Sequence, residues 1–274
     1  MTPAASSALD RTRSGAAGLA LLGLSLVAVW TAATEEVKTG LAKPGPPRIV
    51  MLQPPALEAG GAGSITVRGV NLTNATRVEI GGAKGAAPVE IKERGWVAVP
   101  EGMDTNKVGN HRLVVSARAP ESATVSRILF TVVTPDGVTG PHPLVIFPKG
   151  QLIAEIEPNN GFRQSQEIRS GQTVLGTIES PTDVDVFAFL AETGATLRAE
   201  IQADRLGSSL DSSLTLYSEL GQIVAVNDDG AGVGRDSILT WKFKQGGRHF
   251  LAVSGVTEKG GPLHTYLLTV TIER

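Results

Sequence analysis

The chain has 274 residues, of which 41% are hydrophobic, 19% charged and 4% aromatic, with 32 Gly, 16 Pro, no Cys and a formal net charge of -2. That apolar content is enough to close a core and excludes global disorder, and at about 150 residues per domain the length suggests about two domains. The absence of Cys excludes a disulfide framework, thiolate metal sites and cysteine nucleophiles, and the near-neutral total gives no global attraction to nucleic acid.

Charge is uneven along the chain. Residues 1–150 carry 15 basic and 11 acidic side chains, whereas residues 151–274 carry 10 basic and 16 acidic. An acidic half that alternates strongly between apolar and polar residues is suited to folding and to holding a hard cation. At the N-terminus, Arg11 and Arg13 precede the apolar run 16–30 (AAGLALLGLSLVAVW), then the small exit residues Thr31, Ala32 and Ala33. A basic start, a short apolar stretch and small residues at its end make residues 1–33 a secretory signal peptide, which places the rest of the chain outside the cytoplasm: periplasm, cell surface or extracellular space. Left uncleaved, residues 15–33 are at the short end of a bilayer-spanning helix, and only then does the protein meet a membrane.

Residues 34–46 have no periodicity and run into Pro44, Pro46 and Pro47, which suits an extended tether. From 47 to 134 the pattern is one of short alternating runs bounded by Gly, Asn and Pro: 64–69, 77–80, 88–91, 96–99, 111–117 and 127–133. This spacing predicts an antiparallel β-sandwich, immunoglobulin-like in size. Residues 135–152 contain several Pro and Gly and are read as a linker, with 144–147 able to form one short strand or to dock between domains. From 153 to 274 the alternation strengthens: 197–203 points Leu197, Ala199, Ile201 and Ala203 inward, 237–244 points Leu239, Trp241 and Phe243, and 266–272 points Tyr266, Leu268, Val270 and Ile272. The run 185–190 does not alternate cleanly, so it reads as a strand buried on both faces. About eight strands give a second, jelly-roll-like sandwich, so the predicted fold class is all-β with two sandwich domains.

Two resemblances accompany these readings. The segments Pro46-Pro47-Arg48-Ile49, Ile65-Thr66-Val67-Arg68-Gly69-Val70-Asn71-Leu72 and Val78-Glu79-Ile80-Gly81-Gly82 resemble the immunoglobulin-like TIG (IPT) domain over residues 46–134. Independently of it, Gly69 and Asn71 suit a turn leaving a strand, because both tolerate positive φ. In the second half, Glu155-Ile156-Glu157-Pro158-Asn159-Asn160, Gly176-Thr177-Ile178, Asp183-Val184-Asp185-Val186-Phe187, Asn227-Asp228-Asp229 and Gly247-Arg248-His249-Phe250-Leu251-Ala252-Val253 resemble the bacterial pre-peptidase C-terminal (PPC) domain over residues 153–273. That resemblance implies a secreted, non-catalytic β-sandwich of the kind appended to exported proteases. It also implies, from the related modules of bacterial collagenases, calcium ligands at Glu155, Glu157, Asn159 and Asp185, with Asp183 and Asn160 beside them. Asn160 stands where those modules have an aspartate, which lowers the charge of such a site.

The residue chemistry agrees with a calcium expectation without the family. Calcium takes six to eight oxygens from carboxylates, amides and carbonyls. Glu155 and Glu157 share a face if extended, Asn159 and Asn160 add neutral oxygens after Pro158, and Asp183 and Asp185 share a second face. No His or Cys lies near them in sequence, which disfavours zinc. Acidic turns are also common solvated turns, and the run Asn227-Asp228-Asp229 with Asp236 lacks the spacing of an EF-hand and reads as a hairpin turn. Neither a Gly-x-Ser-x-Gly elbow nor a His-Glu-x-x-His motif occurs, so no enzyme is expected. The expected function is an exported binding or adhesion protein with a calcium-stabilised module that contacts extracellular protein or polysaccharide. The alternative is an accessory or regulatory subunit of a separately encoded secreted peptidase or other hydrolase.

Overall fold

Alternation of apolar and polar residues builds the first sandwich from nine short strands. The computed structural model describes residues 45–81, 89–122 and 124–274; the apolar segment 16–33 and residues 34–44 of the tether lie outside them. In chain order the elements are β1 (Arg48–Gln53), β2 (Ala56–Glu58), β3 (Ala62–Val70), β4 (Arg77–Gly81), β5 (Glu90–Trp96), the single helical turn α1 (Thr105–Val108), β6 (His111–Arg118), β7 (Ser126–Thr134), β8 (Gly137–Val138) and β9 (His142–Phe147). One sheet has the order β1-β3-β6-β5; the other has the order β2-β9-β7-β4, with β8 attached to β7. The register sets Ile65 opposite Val115 and Val67 opposite Leu113 in the first sheet, and Ile128 opposite Leu144 in the second, so these inward residues meet in one core around Phe130.

Two sequence features of this sandwich have different physical causes. Asn71 does adopt positive φ (56°), but Gly69 is required by a close approach: a Cβ there would lie 2.1 Å from the Arg48 carbonyl oxygen. The run expected as a strand over 96–99 keeps only Trp96, at the end of β5. The residues after it form a loop held by the buried Arg68, whose guanidinium donates to the carbonyls of Ala98, Val108 and Gly109 at 2.6 to 3.1 Å. Residues 135–152 contain β8 and β9, and β9 completes the second sheet. Its run Leu144-Val145-Ile146-Phe147 is buried on both faces, with Leu144 and Ile146 in the first core and Val145 and Phe147 turned toward the second sandwich.

The second sandwich comprises β10 (Leu152–Ala154), β11 (Gln166–Glu167), β12 (Thr173–Thr177), β13 (Asp185–Ala191), β14 (Thr196–Gln202), β15 (Ser212–Tyr217), β16 (Ile223–Asn227), β17 (Ile238–Lys242), β18 (Gly247–Gly255) and β19 (Thr265–Glu273). Its sheets have the orders β10-β12-β19-β14-β17 and β11-β13-β18-β15-β16. Pairing is antiparallel except at the two short edges, β10 with β12 and β11 with β13. The chain crosses between sheets at nearly every step, which places consecutive strands on opposite sides of one core containing Phe187, Phe189, Leu197, Ile201, Leu251, Tyr266, Leu268 and Val270. As the broken alternation of 185–190 required, β13 is buried on both faces through Phe189.

Leu267 lies between inward Tyr266 and Leu268, so it points out of its sheet. It is nevertheless fully buried, against Ala56, Val145, Phe147 and Leu206. A second apolar contact joins Val50, Met51 and Val108 to Leu263. Each large side chain buried in this joint stabilises it by at most about 1.5–3 kcal/mol.

Candidate functional site

The acidic end of the second sandwich is built where β10 runs out, at the turn 155–160, and meets the end of β12 and the start of β13. Glu155 follows β10 and reaches back to β12, where its Oε1 accepts the Thr177 amide at 2.8 Å. A cis Glu157–Pro158 bond turns the chain so that Asn159 lies against β13, its carbonyl accepting the Val186 amide at 3.0 Å. Glu157 is exposed and its Oε2 accepts the Asn159 amide at 2.9 Å. Asp185, the first residue of β13, is fully buried.

This arrangement brings Glu155, Glu157 and Asp185 together, with one carboxylate oxygen of each lying within 4.8 Å of the others. The other three side chains singled out in sequence lie around this trio in different ways. Asn159 is fully buried, and neither its Oδ1 nor its Nδ2 has a hydrogen-bond partner. Asp183 closes a turn by accepting the Glu179 amide at 2.6 Å. The amide of Asn160, with its nitrogen turned toward Asp183, donates to Asp183 Oδ1 at 2.6 Å. Asp183 and Asn160 are therefore paired with one another beside the trio.

Two further residues belong to this end of the sandwich. The buried Tyr266 hydroxyl donates to Asp185 Oδ2 at 2.6 Å and lies 3.3 Å from Glu155 Oε2. Gly176, the last residue but one of β12, leaves the space they occupy: a Cβ there would lie 2.3 Å from Tyr266 Cζ and 2.5 Å from Glu155 Oε2. The available signals were a glycine interrupting a strand, which marks close approach, and a tyrosine at a core position, whose hydroxyl needs a partner when buried.

The electrostatics of the trio are unfavourable as the chain alone supplies them. Burial holds the Asp185 carboxyl above the usual carboxylate range, and the charges of Glu155, Asp183 and Glu157 push it further up against the opposing Tyr266 hydrogen bond. Burial likewise raises Glu155, against the Thr177 amide bond. The Tyr266 hydroxyl is raised first by its burial and then by the two carboxylates beside it. Asp185 Oδ1 has no hydrogen-bond partner. Buried polar groups are ordinarily paired, and an unpaired one costs about 1–3 kcal/mol. Unpartnered oxygens on Asp185 and Asn159 beside two further carboxylates form a hard, all-oxygen donor set, which fits calcium better than zinc.

The other acidic turn is arranged differently. Asp236 is also fully buried, but its Oδ1 accepts the amides of Ala203 and Asp204 at 2.9 and 2.7 Å, and its Oδ2 lies 3.0 Å from Arg205 Nε. The hairpin expected here does not form, because β16 and β17 belong to different sheets; Asn227 instead braces the crossover between them by donating to the Asp229 carbonyl and accepting the Ile238 amide. This turn serves the fold.

No family model matches the chain. A stretch of 117 residues, 40% of the chain, is 39% identical to a probable subtilase-type serine protease of Deinococcus radiodurans; the match takes in 16% of that protein's length. Among solved structures the chain is similar to the pre-peptidase C-terminal domain of a collagenase from Bacillus anthracis, at 17% identity and TM-score 0.32, over 39% of this chain and 94% of that one. It is also similar to the secreted serine protease VesC of Vibrio cholerae, at 9% identity and TM-score 0.25, over 80% of this chain and 49% of that one.

Proposed function

We propose that this chain is a non-catalytic, exported binding protein whose second sandwich is a PPC-like module organised by calcium at Glu155, Glu157 and Asp185. The observation that carries the reading is the fully buried Asp185, whose Oδ1 is unpartnered within a cluster of three carboxylates. Buried charge of one sign is costly unless a counter-charge compensates it. Calcium would supply that positive charge when bound. The chain's own residues do the rest: the Thr177 amide and Gly176 fix Glu155, Tyr266 orients Asp185, and the turn at Pro158 sets Asn159 beside them. Asn160 turned to present its oxygen, together with Asp183, would extend the same set of donors.

Residues 155–160 follow directly on β10, close to where the chain passes from one sandwich to the other, so an ion there would fasten the start of the second sandwich. Export rests on the basic and apolar pattern of residues 1–33. The matched length of 117 residues is that of a single sandwich, as an appended module shared with the Deinococcus protease would be. The TIG-like reading of the first sandwich rests on its sequence marks and agrees with its immunoglobulin-like size. Calorimetric titration of the full chain with calcium tests the site: heat is expected, and is expected to vanish in Glu157→Gln/Asp185→Asn. Absence of heat at millimolar calcium would remove the ion from the reading.

The same protease relative favours a second reading, an accessory subunit of a secreted peptidase. Co-purification of an active peptidase from culture or envelope extract would support it over direct contact with extracellular protein or polysaccharide.

A further inference from the structure

A cleft of about 790 Å³ lies between the two sandwiches, with a lining unlike the acidic end. Its walls come from β1 and the α1 loop on one side and, on the other, from the 203–209 turn, Arg235 and the loop before β19. The base is fixed by a close contact: Gly207 has φ 85°, and a Cβ there would lie 1.8 Å from the Val50 carbonyl oxygen. The volume falls within the range of ligand sites, and domain junctions are where such sites concentrate.

The lining is basic in a chain of net negative charge. Arg48, Lys107, Arg235 and Lys259 face it against Asp104 and Asp204. Arg235 is held by Asp204 and Arg48 donates to the Asn106 carbonyl, whereas Lys107 and Lys259 are exposed and make no ion pair among the described residues. A second observation points to a ligand. His264 lines the cleft at 2% exposure, and neither ring nitrogen has a hydrogen bond of acceptable geometry. Burial, with the charges of Lys259 and Arg235, favours the neutral imidazole against an opposing backbone interaction at Gly261, and that form can both donate and accept.

We propose that this cleft binds an acidic oligosaccharide through its uronate carboxylates. Two free ammonium groups suit separated carboxylates on a ligand. Asp104, Asp204 and the neutral His264 suit its hydroxyls, which need acceptors as well as donors. The lining contains no Phe, Tyr or Trp, so it offers no ring on which a neutral sugar would stack and no aromatic anchor for a peptide; its apolar residues are Val50, Met103 and Val108. The inference deepens the binding-protein reading by naming a ligand class, and rests on that reading only for contact with a glycan. It does not use the acidic cluster.

The test is calorimetric titration of the full chain, freed of metal on a chelating resin, with trigalacturonate, galactotriose, citrate and hexaglutamate. Trigalacturonate is expected to bind, galactotriose not. Lys107→Gln/Lys259→Gln is expected to weaken binding at least tenfold with an unchanged melting temperature, while the control Lys242→Gln/Lys244→Gln leaves it intact. No heat with trigalacturonate, equal binding by the cleft variant, or citrate or hexaglutamate binding as tightly would each overturn the proposal. Because the titration is free of calcium, such a failure leaves the ion site untouched, and failure of the ion site leaves this one standing.

Discussion

Asp185 and Asp236 sit in the same sandwich, each fully buried and each raised by that burial, yet they differ in what compensates them. Asp236 has two backbone amides on one oxygen, and its other oxygen, which accepts no hydrogen bond, has the positive charge of the Arg205 guanidinium at 3.0 Å. Asp185 has one hydroxyl, an unpartnered oxygen, and Glu155, Glu157 and Asp183 as charged neighbours. A buried carboxylate that the chain itself neutralises is part of the framework. One surrounded by like charges is where a cation from solution has most to gain.

That contrast can be broken most forcefully at Asp236. Asp236→Ala leaves two buried amides without their acceptor and takes one of two carboxylates from the Arg205 guanidinium, and is expected to cost about 3 kcal/mol in chemical denaturation, equally in calcium and in chelator. Calcium itself is expected to stabilise the parent by about 2.7 kcal/mol when present at about one hundred times its dissociation constant. Tyr266→Phe removes the hydroxyl that donates to the Asp185 carboxylate and is expected to cost about 1–2 kcal/mol in chelator, read from the denaturation midpoint. Asp185→Asn is expected to cost little in chelator, because burial and the neighbouring carboxylates already disfavour the charged form of Asp185.

The pH dependence sharpens the same contrast. Glu155 and Asp185 have folded pKa values above their unfolded ones, so the folded state holds more protons than the unfolded chain. Their contribution is fully present below about pH 4 and is lost as pH rises through neutrality. The buried His111 and His264 and the half-buried His142 are depressed by desolvation, so their contribution is present above about pH 6.5 and lost as pH falls below it. Chelated protein is therefore expected to be most stable at an intermediate pH in denaturation curves taken across the range, and calcium to move that optimum upward by removing the alkaline loss.

The strand pattern was legible because period-two alternation follows from one-sided burial: 197–203 and 266–272 form strands with the predicted residues inward. Alternation does not reveal what covers the outer face. Leu267, Val145 and Phe147 read as outward or as linker because the other sandwich that buries them is distant in sequence. The loop after Trp96 read as a strand because its tie is the side chain of Arg68, which carries no local periodicity. At the acidic end, Glu155, Glu157 and Asp185 could be named from their order, but their meeting depends on how the turn 155–160 is tied to β12 and β13 and on the space left by Gly176. Tyr266 was visible only as an apolar position, since its hydroxyl's partners come from β13 and from the turn after β10.

The most direct test of the central claim is the melting temperature of the parent and of Asp185→Asn, each in millimolar calcium and in chelator. The account predicts a rise of several degrees for the parent in calcium and none for the variant. An unmoved parent, or a variant that rises as far as the parent, would contradict it.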